Sequence, residues 1–190
     1  VKIFLDAEFI EEVPLPGYSP YPVPIHLLSV AVVLEDGRTY YAEDRNAPLH
    51  LANNWVKKNV IPHLDTEDSP SKKTVGEIRQ DLLKLIDFEK PEFWSYFADY
   101  DWVLFCRIFG RMDELPNAFP RYCRDLKQWM DQLQLKRHEL PPQRRMPEHH
   151  ALVDALWHKE IYDYLKQREE QWFQERDRLL LATHRDTTSK

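Results

Sequence analysis

Residues 1–9 read V-K-I-F-L-D-A-E-F, an apolar, strand-forming run broken by two acidic groups, Asp6 and Glu8. Burying a carboxylate is costly unless something compensates it. On a strand, residues i and i+2 share a face and stand about 7 Å apart. At an effective dielectric near 20, two such anions repel by roughly 2–3 kcal/mol. The strand itself offers one cation, Lys2, close to its end. Either basic side chains from elsewhere reach the middle of a sheet, or a metal ion does, and the metal is the less costly solution. The spacing alone decides nothing, because Asp65-Thr66-Glu67 and Asp87-Phe88-Glu89 repeat it. The first copy falls in a Ser/Pro-rich stretch and the second comes after a helical pattern, so both are expected to be solvated.

After that strand (residues 2–10), E-E-V-P-L-P-G-Y-S-P-Y-P-V-P-I holds five prolines and a glycine. The 11–26 stretch is therefore a loop and not a central strand. H-L-L-S-V-A-V-V-L-E-D-G-R-T-Y-Y reads as a hairpin, with Asp36-Gly37 as a type I′ turn pair. Trp55, Val56, Asn59 and Val60 give a short helix before Pro62, and D-T-E-D-S-P-S-K-K a polar loop. Thr74 and Glu77 form a capping box ahead of Ile78, Leu82, Leu85 and Ile86, which starts a helix near residue 75. E-F-W-S-Y-F-A (92–98) predicts a second buried strand, succeeded by a helix that Asp99 caps and Gly110 ends. Leu126, Trp129, Met130 and Leu133 have helical spacing, as do Val153, Leu156, Trp157, Ile161 and Tyr164 on a last helix starting near His150. Strands and then strand–helix units predict an α/β fold, a mixed sheet flanked by helices. A single domain over 1–182 and a frayed tail over 183–190 complete the organisation.

With 43% hydrophobic and 13% aromatic residues and four glycines, the chain has the material for a packed core. No run of about 18 apolar residues is present, so no membrane span is expected. The N-terminal pattern reads as a strand and not as a signal peptide. Cys106 and Cys123, the only cysteines, are then expected as reduced thiols in a cytoplasmic protein. The formal charge of −6 argues against binding nucleic acid through net charge alone. It leaves room for a nucleic-acid enzyme, because bound divalent cations offset acidic groups and local basic residues attract phosphates.

Asp101 strengthens the case for a metal. It comes after the apolar run F-W-S-Y-F-A, in the first turn of a helix whose dipole Asp99 already serves. It is thus free to face the carboxyl end of the neighbouring strand, where ligands bind in open α/β sheets. The last group lies in E-H-H-A-L-V-D, where Asp154 stands five residues after His149. In one continuous helix that spacing turns the two about 140° apart. If the helix starts after His149, the imidazole can swing toward the same cleft. His63…Asp68 and His158…Asp163 share the spacing, but one lies in the polar loop and the other in mid-helix, with nothing to reorient the histidine.

In order along the chain the set is D-A-E, A-D-Y-D-W and H-H-A-L-V-D. This resembles the DEDDh superfamily of 3′-5′ exonucleases, with a ribonuclease H-like fold, which includes ribonuclease T, oligoribonuclease and polymerase proofreading domains. Asp6 and Glu8 match its first segment, Asp101 its second, and His149 with Asp154 its third, Ala151 filling the small position between them. The length and the wording around the motifs are also similar to the small bacterial and phage polyadenylate-specific 3′-exoribonucleases AS. Phe9 and Ile10 stand where relatives often carry threonine and glycine, and the Pro-rich loop is unusually long. His150 competes with His149, and the alanine register favours His149.

The resemblance implies two Mg²⁺ or Mn²⁺ ions, with Asp6 bridging, Glu8 and Asp154 on the metal that carries the attacking water, and Asp101 on the other. It implies His149 as general base. The expected activity is metal-dependent 3′-5′ hydrolysis of single-stranded RNA, releasing nucleoside 5′-monophosphates. A DNA-preferring exonuclease and a non-catalytic nucleic-acid-binding protein of the same fold are the alternatives. A homodimer is a further expectation from relatives. Phe9, beside Glu8, is a candidate for contact with the terminal base, burial in the core being its alternative. Phe97, Tyr100 and Trp102 are expected in the core. Arg144 and Arg145 precede the His149 loop as candidates for phosphate contact, or simply solvated surface; Arg145 is the one taken into the site.

Overall fold

The structure, a computed structural model, describes residues 1–12, 24–87, 90–145 and 147–188, with side chains placed through residue 178 and at 180. A six-stranded mixed sheet runs in the order β4-β3-β2-β1-β5-β6. Its strands are β1 (Lys2–Glu11), β2 (Ile25–Leu34), β3 (Thr39–Asp44), β4 (Lys72–Lys73), β5 (Glu92–Ser95) and β6 (Arg124–Asp125). The helices are α1 (Asn54–Asn59), α2 (Val75–Leu85), α3 (Ala98–Phe109), α4 (Leu126–Gln132) and α5 (Ala151–Thr188). The β1–β2–β3 ribbon is antiparallel, while β5 lies parallel to β1. The mixed α/β architecture read from the sequence is the one observed.

The β1 alternation sorts its side chains onto two cores. Ile3, Leu5 and Ala7 pack with Ile78, Leu82, Phe105 and Phe109 of α2 and α3. Phe4 packs with Ala31, Val33, Ala155 and Ile161 on the α5 side. Asp6 and Glu8 continue the Phe4 row and so face α5. Phe105 sits fully buried among Phe93, Trp102, Phe109 and Phe119. Truncating a side chain so placed costs about 3–5 kcal/mol.

Between Glu8 and Phe9 the β1–β2 register shifts, Glu8 pairing with Ser29 and Phe9 with Leu27. The extra residue, Leu28, joins Ile10, Ala52, Val56 and Val60 in a third core. A bulge of this kind bends the strand and re-aims the side chains beyond it. It comes directly after the acidic pair.

Several local signals appear as written. The Thr74–Glu77 capping box is formed on both sides, and Gly110, at φ +110°, ends α3. The hairpin turn is one residue longer than a type I′ pair allows. Gly37 N–H donates to Leu34 O, and Leu34 N–H donates to Arg38 O. Glu35–Gly37 therefore form a three-residue loop, with Gly37 in its left-handed place at φ +92°. The polar loop carries an unexpected strand, β4, whose Lys72 forms a buried ion pair with Glu43 at 2.7 Å. β5 ends at Ser95, short of the expected 98. Of the Pro-rich loop, residues 13–23 lie outside the described ones, and Ile25 and His26 already belong to β2. α5 runs through Thr188, across most of the stretch expected to fray. Asp65 and Glu67 are exposed, as expected of a solvated pair, and Glu89 of the other copy lies outside the described residues. Both cysteines are free. Among the described residues no helix is long and apolar enough to cross a membrane.

Candidate active site

β5 pairs with residues 2–4 of β1 alone and then ends, so the edge of β1 beyond Leu5 opens into a cleft. Asp101 fills that edge. Its Oδ1 accepts from Ala7 N–H at 3.2 Å, and its Oδ2 accepts from Ser95 Oγ–H at 2.5 Å. Asp101 reaches the edge because α3 starts immediately after Phe97, which turns the chain in the left-handed region at φ +61°. For a non-glycine residue this costs about 1–3 kcal/mol. Asp99 does not cap the helix. The cap comes from Asp125 on β6, whose Oδ2 accepts from Ala98 N–H at 2.8 Å while its Oδ1 accepts from Gln128 N–H in α4.

The third segment arrives from the start of α5. His149 also sits in the left-handed region, at φ +63°, and its backbone N–H donates to Asp154 Oδ2 at 3.0 Å. Gln143 Nε2 donates to the other carboxylate oxygen. The helix does start after His149, and the imidazole swings as the spacing required. Ligand atoms of Glu8, His149 and Asp154 lie within 4.8 Å of one another. The His149 ring meets Trp55 of α1 edge-on at 4.8 Å. His150 turns the other way and stacks on Tyr41 at 4.5 Å. Of the two histidines, His149 is the one whose ring joins Glu8 and Asp154.

Burial raises the proton affinity of all four carboxylates, and charge within the group adds to it at Asp6, Glu8 and Asp101. Burial pushes Asp6 well above the usual carboxylate range, and Asp101, Glu8 and Asp154 add to it. Glu8 is pushed to about 8 by burial, then by Asp154 and Asp101. Asp101 reaches about 7 through burial, held back by its hydrogen bonds from Ser95 and Ala7. Asp154 is raised by burial against the hydrogen bond from Gln143. Among the described residues, no lysine or arginine lies within ion-pair distance of any of the four.

The basic group beside them is His158, which the sequence presents as an ordinary mid-helix residue. It is 3% exposed, with Nδ1 2.9 Å from Leu5 O and Nε2 3.6 Å from Asp6 Oδ1. Burial holds its pKa near 4, so the ring is neutral and Nδ1–H donates to the carbonyl. A neutral ring supplies no compensating charge. The missed signal is its place four residues after Asp154, on the same helix face. Clustered carboxylates, with hard oxygen donors and no lysine or arginine partner among the described residues, fit a divalent metal ion.

A cavity of about 520 Å³ opens beside Asp6 and is lined also by Tyr96, Phe97, Arg137, His149 and Trp157. Trp102 is buried as expected, but Phe97 is 62% and Tyr100 44% exposed. The αL turn throws Phe97 outward, and Tyr100 lies on the outer face of α3. Phe9 stacks on Tyr100 at 5.0 Å with planes 8° apart. It packs with the α3-side core, whereas Asp6 faces α5. Arg145 is exposed and ion-pairs with Glu160, and Arg144 is exposed.

No protein-family model matches the chain. The curated 3′-5′ exoribonuclease of Mycobacterium tuberculosis, in strains CDC 1551 / Oshkosh and ATCC 25618 / H37Rv, is 35% identical over 158 residues, 82% of this chain and 87% of the relative. The crystal structure of the nuclease domain of 3′hExo, a DEDDh family member bound to rAMP, is similar with a TM-score of 0.54 at 16% identity. That likeness covers 87% of this chain and 91% of the other, and it is a likeness of fold.

Proposed function

The chain belongs to the 3′-5′ exoribonuclease family of these mycobacterial enzymes and has the DEDDh nuclease fold, and on that premise we propose how its own residues carry the reaction. The protein removes nucleotides from the 3′ end of single-stranded RNA in a metal-dependent hydrolysis, releasing nucleoside 5′-monophosphates. The observation that carries the assignment is the largely buried cluster of Asp6, Glu8, Asp101 and Asp154, with no lysine or arginine in ion-pair distance among the described residues.

Those four carboxylates would hold two divalent cations, Mg²⁺ or Mn²⁺. When bound, such ions polarise the phosphate, acidify a water and stabilise the leaving oxygen. His149 takes the proton of the attacking water, one of its ring nitrogens standing among the ligand atoms of Glu8 and Asp154. Its loop is held over the cleft by the backbone bond to Asp154, and its ring edge rests on Trp55. Ser95 and Ala7 fix Asp101.

Exposed aromatic rings around the cleft favour a single strand, whose unpaired bases have free faces to stack. We assign Phe9, through its partly exposed pair with Tyr100, and Arg145, once released from Glu160, to the path of that strand. Preference for RNA over DNA is supported by what the mycobacterial relative is named for. A cytoplasmic location is supported by two free cysteines, and a homodimer by the exposed Trp172 and Phe173 of α5. Sedimentation of the purified chain tests the last.

The deciding experiment is a side-by-side digestion of single-stranded RNA and DNA, with free and blocked 3′ ends, in Mg²⁺, Mn²⁺ and chelator. Release of 5′-monophosphates from free RNA ends, abolished by blocking or chelation, is the expected result. Absence of release in either metal would leave a non-catalytic binding protein.

A further inference from the structure

Phe97 presents a large apolar ring to solvent from a backbone conformation that glycine or asparagine adopts at less cost. The ring borders the cavity that opens on Asp6 and His149. Tyr96 meets Phe97 edge-on at 4.8 Å and supports it from below. On the same cavity wall, the Arg137 guanidinium lies 4.1 Å over the Trp157 ring and 5.5 Å from that of Tyr96. Trp157 is itself anchored by an Nε1–H bond to Pro141 O at 2.9 Å. Arg137 is exposed and forms no ion pair among the described residues, so its charge stands fixed in place without an anion. An aromatic platform and an immobilised cation, side by side and continuous with the carboxylates, are the two elements that hold an unpaired nucleotide.

Resting on the nuclease reading above, we infer that this cavity is a nucleotide subsite. The base of a nucleotide near the 3′ end stacks on Phe97, and its phosphate pairs with Arg137. Neither residue takes part in the proton or metal chemistry. Their contribution is to hold the strand in register with His149.

The test uses the full chain and single-stranded RNA carrying one abasic nucleotide at each of the three 3′-terminal positions in turn. Stacking on an aromatic ring sets the expected loss for Phe97→Ala and Phe97→Gly at about 5- to 150-fold in kcat/KM on the intact strand. The loss falls mainly on KM, and Phe97→Tyr restores it. At one abasic position the wild type drops by a similar factor, and Phe97→Ala causes no further loss there. Phe97→Gly guards against misfolding, since glycine accepts φ +61° and should melt no lower than Phe97→Ala. Arg137→Ala should flatten the salt dependence of binding by a slope of about 0.7, one phosphate contact on a single strand.

Anisotropy of labelled RNA in chelator gives the same comparison without hydrolysis. Phe97-dependent binding by an inactive wild type would keep the subsite and remove the nuclease reading. The inference is overturned if Phe97→Ala and Phe97→Gly stay within about twofold of wild type on intact RNA, or if their loss is equal at every abasic position. The second outcome would leave the cavity as a contact for something other than a base.

Discussion

The backbone N–H of His149 donates to Asp154 Oδ2 at 3.0 Å. The carboxylate proposed to hold a metal thus also fixes the loop that carries the proposed base. Asparagine at 154 keeps an acceptor for that N–H, and alanine does not. Both Asp154→Asn and Asp154→Ala should lose turnover, but Asp154→Ala should be less stable than Asp154→Asn by about 1 kcal/mol, the net worth of the bond. Paired denaturation curves check this, and equal midpoints would detach the loop from Asp154.

His149→Ala removes the proposed proton acceptor and leaves all four carboxylates in place. Turnover should fall by roughly 10²–10⁴-fold, with Mn²⁺ binding by calorimetry largely unchanged. His150 packs on Tyr41, away from Glu8, so His150→Ala should keep most of the activity. If His149→Ala turned over like wild type, the base would have to be sought elsewhere.

The features legible in the sequence are those that rest on local chemistry. The Asp6–Glu8 strand, the Thr74–Glu77 box, the Gly110 stop and the start of α5 after His149 all depend on residues within a few positions of one another. The hidden parts depend on distant ones. Asp99 had the right residue type and position for a cap, but Asp125, 27 residues from Ala98 in sequence, takes the Ala98 N–H. Lys72 read as loop until Glu43 buried it against the sheet edge. His158 read as inert because its role comes from α5 crossing β1, a packing fact that no single helix states. Phe97 looked like core because strand alternation does not foresee a left-handed turn.

Metal-free stability should depend on pH through the same carboxylates. Asp6, Glu8 and Asp101 have folded-state pKa values above their usual ones, Glu8 about 8 and Asp101 about 7. Between the ordinary carboxylate range and those values the folded chain holds more protons than the unfolded one. Its stability therefore falls as pH rises through that window. In chelator, Glu8→Gln should melt above wild type at pH 8, and the gap should shrink at pH 5. Each kcal/mol gained is worth about 2–4 °C in a chain of this size. Added Mn²⁺ should raise the wild type at pH 8 more than Glu8→Gln. A wild-type melting temperature that stays flat from pH 5 to 8 in chelator would contradict the burial of these groups.

His158 closes the wall behind Asp6. Its Nδ1–H satisfies the Leu5 carbonyl inside the sheet, and its Nε2 stands 3.6 Å from Asp6 Oδ1. His158→Phe keeps a ring in that space and leaves the buried carbonyl without its donor, at a cost of about 1–3 kcal/mol. Asp6 loses the neighbour that limits its rotation. A displacement near 1 Å at a reacting centre can cost about 10²-fold in rate, so kcat should fall by up to that factor while KM for RNA holds within about twofold. That split separates a misplaced Asp6 from a damaged substrate path, because a phenyl ring at 158 keeps the wall of the cavity beside Tyr96 and Trp157 filled. A folded His158→Phe with wild-type kcat would mean that Asp6 is held by the strand alone.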